Sequence, residues 1–96
     1  MIYEWDRVKA AANVKKHRVR FEEAASVFPD PRALTFWDPD HSEEGDREIT
    51  IGRSAQQRVL FVAHAQREGG VRIISARRAS RREQKQYEEG IGEATR

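Results

Sequence analysis

The sequence predicts an α+β fold in which two N-terminal helices and one C-terminal helix pack on an antiparallel β-sheet. Apolar and small residues at helical spacing occupy the first third of the chain, and alternating or continuously apolar segments typical of strands follow. A polar segment of helical composition comes last. Such segregation of helices and strands is typical of α+β proteins, and 96 residues are enough for one domain, 1–96.

A short strand and a helix are predicted at the start. The segment MIYEWD alternates as a strand does, with Tyr3 and Trp5 on one side. Asp6 is the candidate N-cap of the helix that follows, DRVKAAANVKKH, which is rich in Ala and Lys. The predicted contact surface of this helix consists of small or β-branched residues, namely Val8, Ala11 and Ala12.

A second helix is predicted in RFEEAASVF. Its apolar residues recur at helical spacing, and they are Phe21, Ala24, Ala25 and Phe28. Pro29 and Pro31 then end the helix, because proline cannot donate the backbone hydrogen bond that a helix interior needs.

Four strands are predicted next. RALTFWDP places Leu34 and Phe36 on one face, and REITIG does the same with Ile49 and Ile51. RVLFVAHA is continuously apolar, as expected for a central strand that is buried on both faces. DHSEEGD is a polar turn and REGG a hairpin turn. VRIISARR is the last strand, with Arg72, Ile74, Ala76 and Arg78 on one side and Val71, Ile73, Ser75 and Arg77 on the other.

The closing segment, ASRREQKQYEEG, predicts a helix. Ser80 followed three residues later by Glu83 is the pattern of a capping box, in which side chain and backbone groups satisfy each other at the helix start.

Charge is strongly segregated although the net charge is only +2. Residues 7–20 hold six Lys or Arg and no acid, and residues 71–85 hold six bases and one acid. Residues 30–48 hold seven acids and two bases. Two basic blocks separated by an acidic one indicate a positive surface for a polyanion. The alternative is that the charged faces are simply solvated.

Several classes of protein are disfavoured. The chain has no cysteine, so disulfides and thiolate metal sites are excluded. His17, His41 and His64 lack the spacing of metal ligands, and the chain contains neither a P-loop nor a GxGxxG motif. The N-terminus lacks an apolar stretch of signal-peptide or membrane-spanning length, so we expect a cytoplasmic protein that has no membrane contact.

The strongest candidate site is the cationic end of the last strand. Arg77, Arg78, Arg81 and Arg82 cluster there, where guanidinium groups can hold a phosphate through two hydrogen bonds. Lys16 and His17 end the first helix, where they either complement the helix dipole or bind phosphate. His64 shares a face with Leu60 and Val62, and is either a core side chain or a functional one.

Cleavage of RNA without a metal fits these residue types. RNA carries its own nucleophile, the 2′-hydroxyl, so the protein needs a base, an acid and cations that stabilise charge on phosphorus. His, Lys, Glu and Tyr can exchange the protons and Arg can hold the phosphate. Two other hypotheses also fit the sequence. One is a nucleic-acid-binding module without catalysis, and the other is a protein whose cationic surface binds an acidic partner.

Two motif series resemble the BrnT family of bacterial type II toxins. The first comprises Trp5-Asp6, Lys9, Asn13, Lys16-His17 and Phe21-Glu22-Glu23-Ala24, and the second comprises the Arg72–Arg77 block with Ala79, Arg82, Glu83 and Tyr87. The resemblance runs from about residue 3 to residue 89. One departure is Arg18, where the family usually has Gly after the Lys-His pair, so a different turn is expected there.

The resemblance implies a RelE/ParE-like fold and a ribonuclease that needs no metal or other cofactor and that arrests translation. It also implies a BrnA-type antitoxin with a ribbon-helix-helix domain, which represses the shared operon by binding operator DNA, in a hetero-oligomer with two toxins. The residues that it assigns to catalysis, together with the cationic candidates above, are Lys16, His17, Arg47, Arg77, Glu83 and Tyr87. RNA binding is assigned to Arg72, Arg78, Arg81, Arg82 and His64.

Overall fold

The alternating and helical patterns of the sequence produce a five-stranded sheet and three helices in the computed structural model, which describes residues 2–38 and 47–90. In chain order the elements are β1 Ile2–Glu4, α1 Arg7–His17, α2 Phe21–Ala25, β2 Leu34–Trp37, β3 Arg47–Arg53, β4 Val59–Arg67, β5 Gly70–Arg78 and α3 Arg81–Glu89. The predicted α+β class is confirmed. The predicted polar turn DHSEEGD lies outside the described residues.

The sheet is mixed rather than wholly antiparallel, so this part of the prediction is wrong. The strand order is β1-β5-β4-β3-β2, and β2 to β5 form an antiparallel meander. β1 pairs with β5 in parallel, which is possible because the whole chain between them serves as the connection. Gly70 permits this pairing, since a Cβ at that position would lie 2.1 Å from the carbonyl oxygen of Ile2.

A β-bulge in β5 overturns the predicted alternation of that strand. Ala63 pairs with Ser75 while His64 pairs with Ile73, so Ile74 is an extra residue with no partner in β4. Beyond the bulge the faces exchange. Ile73 and Ala76 therefore contribute to one hydrophobic cluster, while Ile74 packs against the other.

The two hydrophobic clusters lie on opposite faces of the sheet, because neighbouring residues of β4 belong to different clusters. The first cluster joins α2 to the sheet and consists of Val19, Phe21, Ala24, Val27, Leu60, Val62, Ile73 and Ala76. The second lies on the face that α3 packs against and consists of Ile49, Ile51, Val59, Ala63, Ala79 and Tyr87.

The contact face of α1 differs from the prediction. Val8 is 77% exposed, and Ala11 and Ala12 are also exposed. The residue of α1 that is buried is Asn13. Its Nδ2 donates to the carbonyl oxygens of Val19 at 2.9 Å and Ala76 at 2.8 Å, and its Oδ1 accepts from the Ala76 backbone N–H at 3.1 Å.

Asn13 thus gives α1 its position beside β5. Its amide offers the donor and the acceptor that a further strand would otherwise supply to Ala76. A buried polar side chain is tolerated here because both of its N–H groups and its oxygen are hydrogen-bonded. The helix is therefore tied to the strand residue that directly precedes Arg77.

The turn after α1 keeps the left-handed conformation that glycine usually supplies. Arg18 has φ 60° and ψ 34°, and its backbone N–H donates to the carbonyl of Val14 at 2.8 Å. The expectation of a different turn is therefore wrong, and the chain accepts about 1 kcal/mol of backbone strain at this residue.

Candidate functional site

Arg77 lies on the α3 face of the sheet, where two side chains hold its guanidinium. Its guanidinium carbon lies 4.0 Å from the centre of the Phe61 ring, and β4 and β5 pair these two residues directly. Its Nη1 and Nη2 donate to the two carboxylate oxygens of Glu83 at 2.8 and 2.9 Å. A stacked guanidinium with two parallel hydrogen bonds to a carboxylate has little freedom to reorient. Arg77 is therefore rigidly presented.

Two of the five N–H groups of Arg77 stay available. Three are used by the two oxygens of Glu83 and by the backbone carbonyl of Arg78, which Nη1 reaches at 3.2 Å. The remaining Nε–H and second Nη2–H point the same way along one edge of the guanidinium, and neither has a partner in residues 2–38 and 47–90. The side chain of Arg77 is 38% exposed. This edge can bind a phosphate through two hydrogen bonds.

Glu83 is fixed from both sides. The predicted capping box at the start of α3 is confirmed, because Glu83 accepts from the Ser80 backbone N–H at 2.8 Å while its own N–H donates to the Ser80 hydroxyl. Burial raises the pKa of Glu83, but the hydrogen bonds from Arg77 and Ser80 outweigh burial and leave it below its ordinary value. Glu83 is therefore an anion that holds Arg77 in place.

The end of α1 supplies two further cationic or titratable groups. Lys16 is exposed and His17 half-buried, and both line a notch of about 210 Å³ between α1 and β5. Ser75 lies on the opposite wall of this notch. Since Ser75 and Arg77 are two residues apart on one strand, they share a face and lie about 7 Å apart. The structure therefore places Lys16 and His17 across the notch from Ser75, which precedes Arg77 by two residues on β5.

Arg72 and Arg47 lie at the other end of the sheet. Arg72 is five residues from Arg77, about 16 Å along the strand, and its Nη1 lies 3.0 Å from a carboxylate oxygen of Glu4. The Nε of Arg47 lies 3.2 Å from a carboxylate oxygen of Asp38. Arg47 and Arg72 both pair with Ala65 of β4, so they lie together at the other end of the sheet, each beside a carboxylate, and are not part of the Arg77 cluster.

Arg78 faces the other way from Arg77. It pairs with Leu60 of the first cluster, and its charge lowers the pKa of Glu23 on the side of the sheet where α2 packs. Arg81 and Arg82 remain exposed in the first turn of α3, directly beyond the Arg77 cluster.

His64 is a core side chain in this structure. It is 3% exposed, its Nε2 lies 2.7 Å from the Thr50 hydroxyl oxygen, and its ring meets the Phe28 ring edge-on at 4.9 Å. Burial lowers the pKa of His64 to about 4, so the imidazole is neutral near pH 7. A direct RNA contact by His64 is incompatible with this position, and the prediction that it binds RNA is corrected accordingly.

The family model for "Ribonuclease toxin, BrnT, of type II toxin-antitoxin system" matches residues 5–83. The chain belongs to the BrnT family. The match covers most of the chain. It includes the second motif series as far as Glu83, and it stops before Tyr87.

A solved structure supports the same fold. The 1.1 Å crystal structure of the Brucella abortus ribonuclease toxin BrnT aligns with a TM-score of 0.61 and 24% sequence identity, covering 84% of this chain and 100% of that one. At this identity the likeness shows the shared fold alone. No curated protein sequence gives a significant match. A ribonuclease toxin of a type II system implies an RNA substrate and an antitoxin partner.

Tyr87 lies one turn after Glu83 on α3 and belongs to the second hydrophobic cluster. It is 5% exposed, and its hydroxyl donates to Asp30 at 2.6 Å. Burial and the carboxylate of Asp30 raise the pKa of Tyr87. Asp30 also accepts from the backbone N–H groups of Arg32 and Arg53, so Tyr87 fastens the second half of α3 to the loop before β2.

Phe61, Ile74 and Ser75 were not predicted to lie at the candidate site. In the sequence Phe61 is one of several apolar residues of a predicted buried strand. It contacts Arg77 because β4 pairs with β5 at this position. Ile74 and Ser75 both line the notch because of the bulge, which has no local sequence signal. Lys9 and Asn13 line it as well. They precede Lys16 by seven and three residues, so helical spacing alone could have predicted that the three side chains share one face of α1.

Within residues 2–38 and 47–90, no group of three or more His, Asp or Glu side chains has the arrangement of a metal site. None of the helices described there is long and apolar enough to cross a membrane.

Proposed function

We propose that this BrnT-family chain cleaves RNA internally without a metal ion and thereby inhibits translation. The observation that carries the proposal is the free edge of Arg77, whose guanidinium is held by Phe61 and Glu83 and still offers two parallel N–H groups to solvent. A cation that is ordered before substrate binds stabilises developing charge without reorganisation during the reaction.

The proposed step is a transesterification. The ribose 2′-oxygen forms a bond to the adjacent phosphorus, the bond from phosphorus to the 5′-oxygen breaks, and a 2′,3′-cyclic phosphate results. A base takes the proton of the 2′-hydroxyl, and an acid returns a proton to the leaving 5′-oxygen. Arg77 binds the phosphate oxygens, whose charge increases as the fifth bond to phosphorus forms.

We assign the proton transfers to His17 and Lys16. Both line the notch beside Ser75, which precedes Arg77 by two residues on β5. Glu83 suits a positioning role better than a base, because hydrogen bonds from Arg77 and Ser80 engage its oxygens and lower its pKa. Tyr87 is 5% exposed and its hydroxyl is engaged with Asp30, so Tyr87 is assigned to packing.

The flanking RNA backbone is proposed to contact the remaining cations. Arg81 and Arg82 occupy the first turn of α3, where cations oppose the helix dipole and an anion would relieve that opposition. Arg72 and Arg47 at the other end of the sheet are the remaining candidates for RNA binding, although each is paired with a carboxylate, Glu4 or Asp38. Such phosphate contacts set affinity and are weakened by salt.

The family also suggests partners and architecture. We propose that residues 1–96 form one RelE/ParE-like toxin domain in the cytoplasm, neutralised by a BrnA-type antitoxin. In this proposal a ribbon-helix-helix domain of the antitoxin binds operator DNA, and two toxins join the assembly. The uncompensated basic block at residues 7–20 supports an acidic partner segment.

The test is incubation of the purified chain with end-labelled RNA in EDTA, without ribosomes, followed by identification of the new ends. Ends carrying 2′,3′-cyclic phosphate or 3′-phosphate are the expected products. Absence of cleavage, with and without translating ribosomes, combined with salt-sensitive RNA binding would instead identify a non-catalytic nucleic-acid-binding module.

A further inference from the structure

We propose that the notch between α1 and β5 is a binding subsite for one nucleotide of the RNA, next to the nucleotide whose phosphate Arg77 holds. The inference rests on the proposed function, and it adds residues outside the cation cluster, namely Lys9, Ala12, Ile74 and Ser75. The notch has a volume of about 210 Å³. Pockets for drug-sized ligands measure about 300–1,000 Å³, so this one suits a single base.

The bulge in β5 gives the notch two chemically different surfaces. In a regular strand Ile74 and Ser75 would point to opposite faces, yet both line this notch. Ile74 offers an apolar surface to the plane of a base. The Ser75 hydroxyl has no hydrogen-bond partner in the described parts of the chain, and it is both donor and acceptor, so it can bind a polar edge of any base.

The opposite wall supplies positive charge. Lys9 and Lys16 are seven residues apart, two turns of α1, and therefore lie on the same side of the helix at the two ends of the notch. Asn13 lies between them, and its own N–H groups and oxygen are already used by Val19 and Ala76. It therefore fixes the wall in place and leaves the lysines to bind phosphate.

The position of the notch links it to the reaction site. Ser75 precedes Arg77 by two residues on one face of β5, about 7 Å away, so a nucleotide in the notch is adjacent to a phosphate on Arg77. His17 lines the same notch. An RNA strand that fills the notch is thereby held with its scissile phosphate between the edge of Arg77 and the end of α1.

The test uses matched pairs of variants on the exposed side of α1. Ala12→Leu places a larger side chain in the notch, while Ala11→Leu makes the same change at an exposed residue that does not line it. Lys9→Gln removes a charge that lines the notch, while Lys15→Gln removes an exposed charge that does not. Urea unfolding of all four variants checks that stability is retained.

Binding is measured by fluorescence anisotropy with a labelled, mixed-sequence 2′-O-methyl RNA oligonucleotide, which lacks the nucleophile and cannot be cleaved. We expect Ala12→Leu to raise Kd about tenfold, comparable to the loss of one base contact. We expect Lys9→Gln to lower the slope of log Kd against log salt by about 0.7, the value for one phosphate of a single strand. Ala11→Leu should leave Kd within about twofold, and Lys15→Gln should leave the slope unchanged.

Cleavage of unmodified RNA by the same variants keeps the two proposals distinguishable. If the parent protein binds through the notch but does not cleave, the proposed function fails and the subsite stands. If the parent cleaves and Ala12→Leu binds and cleaves as Ala11→Leu does, the subsite is refuted. The subsite is equally refuted if Ala12→Leu and Lys9→Gln weaken only the binding of an antitoxin, since the notch would then be a protein interface.

Discussion

Two arginine–glutamate pairs lie on opposite faces of the sheet, and they differ in what they leave unsatisfied. On the α2 face, Arg58 donates from Nε to Glu23 at 2.9 Å and from Nη2 to its other oxygen, and Ser54 adds a hydroxyl donor at 2.6 Å. On the α3 face, Arg77 also binds Glu83 through two hydrogen bonds, but it donates from Nη1 and Nη2, so its Nε is not used.

The two pairs differ in burial and in which N–H groups they leave without a partner among the described residues. Arg58 leaves the two diverging N–H groups of Nη1, whereas Arg77 leaves the parallel N–H groups of Nε and Nη2. The side chain of Glu23 is 4% exposed and that of Glu83 is 18% exposed, while Arg58 and Arg77 are 25% and 38% exposed. Glu23 joins α2 to Ser54 and Arg58, which lie at the turn between β3 and β4, so its partners are parts of the fold. Arg77 instead keeps a guanidinium edge for a ligand. The same pair of residue types thus stabilises the fold in one place and prepares a site in the other.

Removing the Arg77 cation should have the largest effect, and it should be an effect on activity. We expect Arg77→Ala to reduce the single-turnover rate of RNA cleavage about 100–1,000-fold, the range for loss of one preorganised group that stabilises transition-state charge. The free energy of unfolding should change by less than about 1 kcal/mol, because the pair is partly solvated.

Arg78→Ala is the matched control for Arg77→Ala. Arg78 is the next residue along β5 but faces the α2 side, so its removal should change the cleavage rate less than about fivefold, as expected for a remote charge that is screened by salt. Equal losses in the two variants would show that general positive charge, rather than the held edge of Arg77, drives cleavage.

Breaking the buried pair should instead reduce stability. We expect Glu23→Ala to lower the free energy of unfolding by about 3 kcal/mol, since it leaves Arg58 without its anionic partner and Ser54 without an acceptor. Urea denaturation measures the change, and Glu22→Ala, at an exposed position of α2, should alter it by less than about 0.5 kcal/mol. Cleavage per folded molecule should be unchanged, and a large loss there would contradict the assignment of this pair to the fold.

A third prediction concerns pH and the core histidine. Burial lowers the pKa of His64 to about 4 from an ordinary value of 6.5. The unfolded chain therefore binds this proton at a higher pH than the folded chain does, and the free energy of unfolding falls as pH decreases from 6.5 toward 4. Between pH 7 and 5 the loss attributable to His64 is about 2 kcal/mol. The free energy of unfolding of His64→Gln should lack this part of the decrease.

The pH window separates His64 from the two glutamate pairs. The pKa values of Glu23 and Glu83 are lowered below 4.5, so their stabilisation is present above that pH and is lost only as pH falls further. A parent protein and a His64→Gln variant with the same decrease between pH 7 and 5 would show that the imidazole is solvated.

The smallest predicted effect is at the turn that supports the buried pair. Arg18 adopts the left-handed conformation, and its carbonyl accepts from Arg58 at 3.2 Å. We expect Arg18→Gly to raise the free energy of unfolding by about 1 kcal/mol, because glycine adopts this conformation without strain. Lys15→Gly, inside α1, should lower it by about 1 kcal/mol, and a loss in both variants would mean that the Arg18 side chain stabilises the fold.

The features that local chemistry determines were predictable from the sequence. Ser80 and Glu83 form the capping box because three residues separate them, and the alternation of β2 follows from the period of a strand. The position of α1 was not predictable in this way, since its anchor is a polar residue, Asn13, whose partner Ala76 lies 63 residues away.

Pairing between strands determines the rest of the site. The bulge at Ile74 depends on how β5 aligns with β4, and it reverses the faces of every residue before or after it. The sequence predicted Arg77 and Glu83 as site residues, and the structure brings the two into contact, but the sequence also assigned His64 to RNA binding, although tertiary packing buries it. Charge and motif indicate candidate residues, and strand register decides which of them meet.

The most direct test of the difference between the two pairs is to replace each arginine by lysine and to measure single-turnover cleavage and urea unfolding on the same preparations. Lysine keeps the charge but cannot form two parallel hydrogen bonds. We predict that Arg77→Lys lowers the cleavage rate about 100-fold with little change in unfolding, while Arg58→Lys lowers the free energy of unfolding by about 1–2 kcal/mol and preserves cleavage per folded molecule. The reverse pattern would contradict the account.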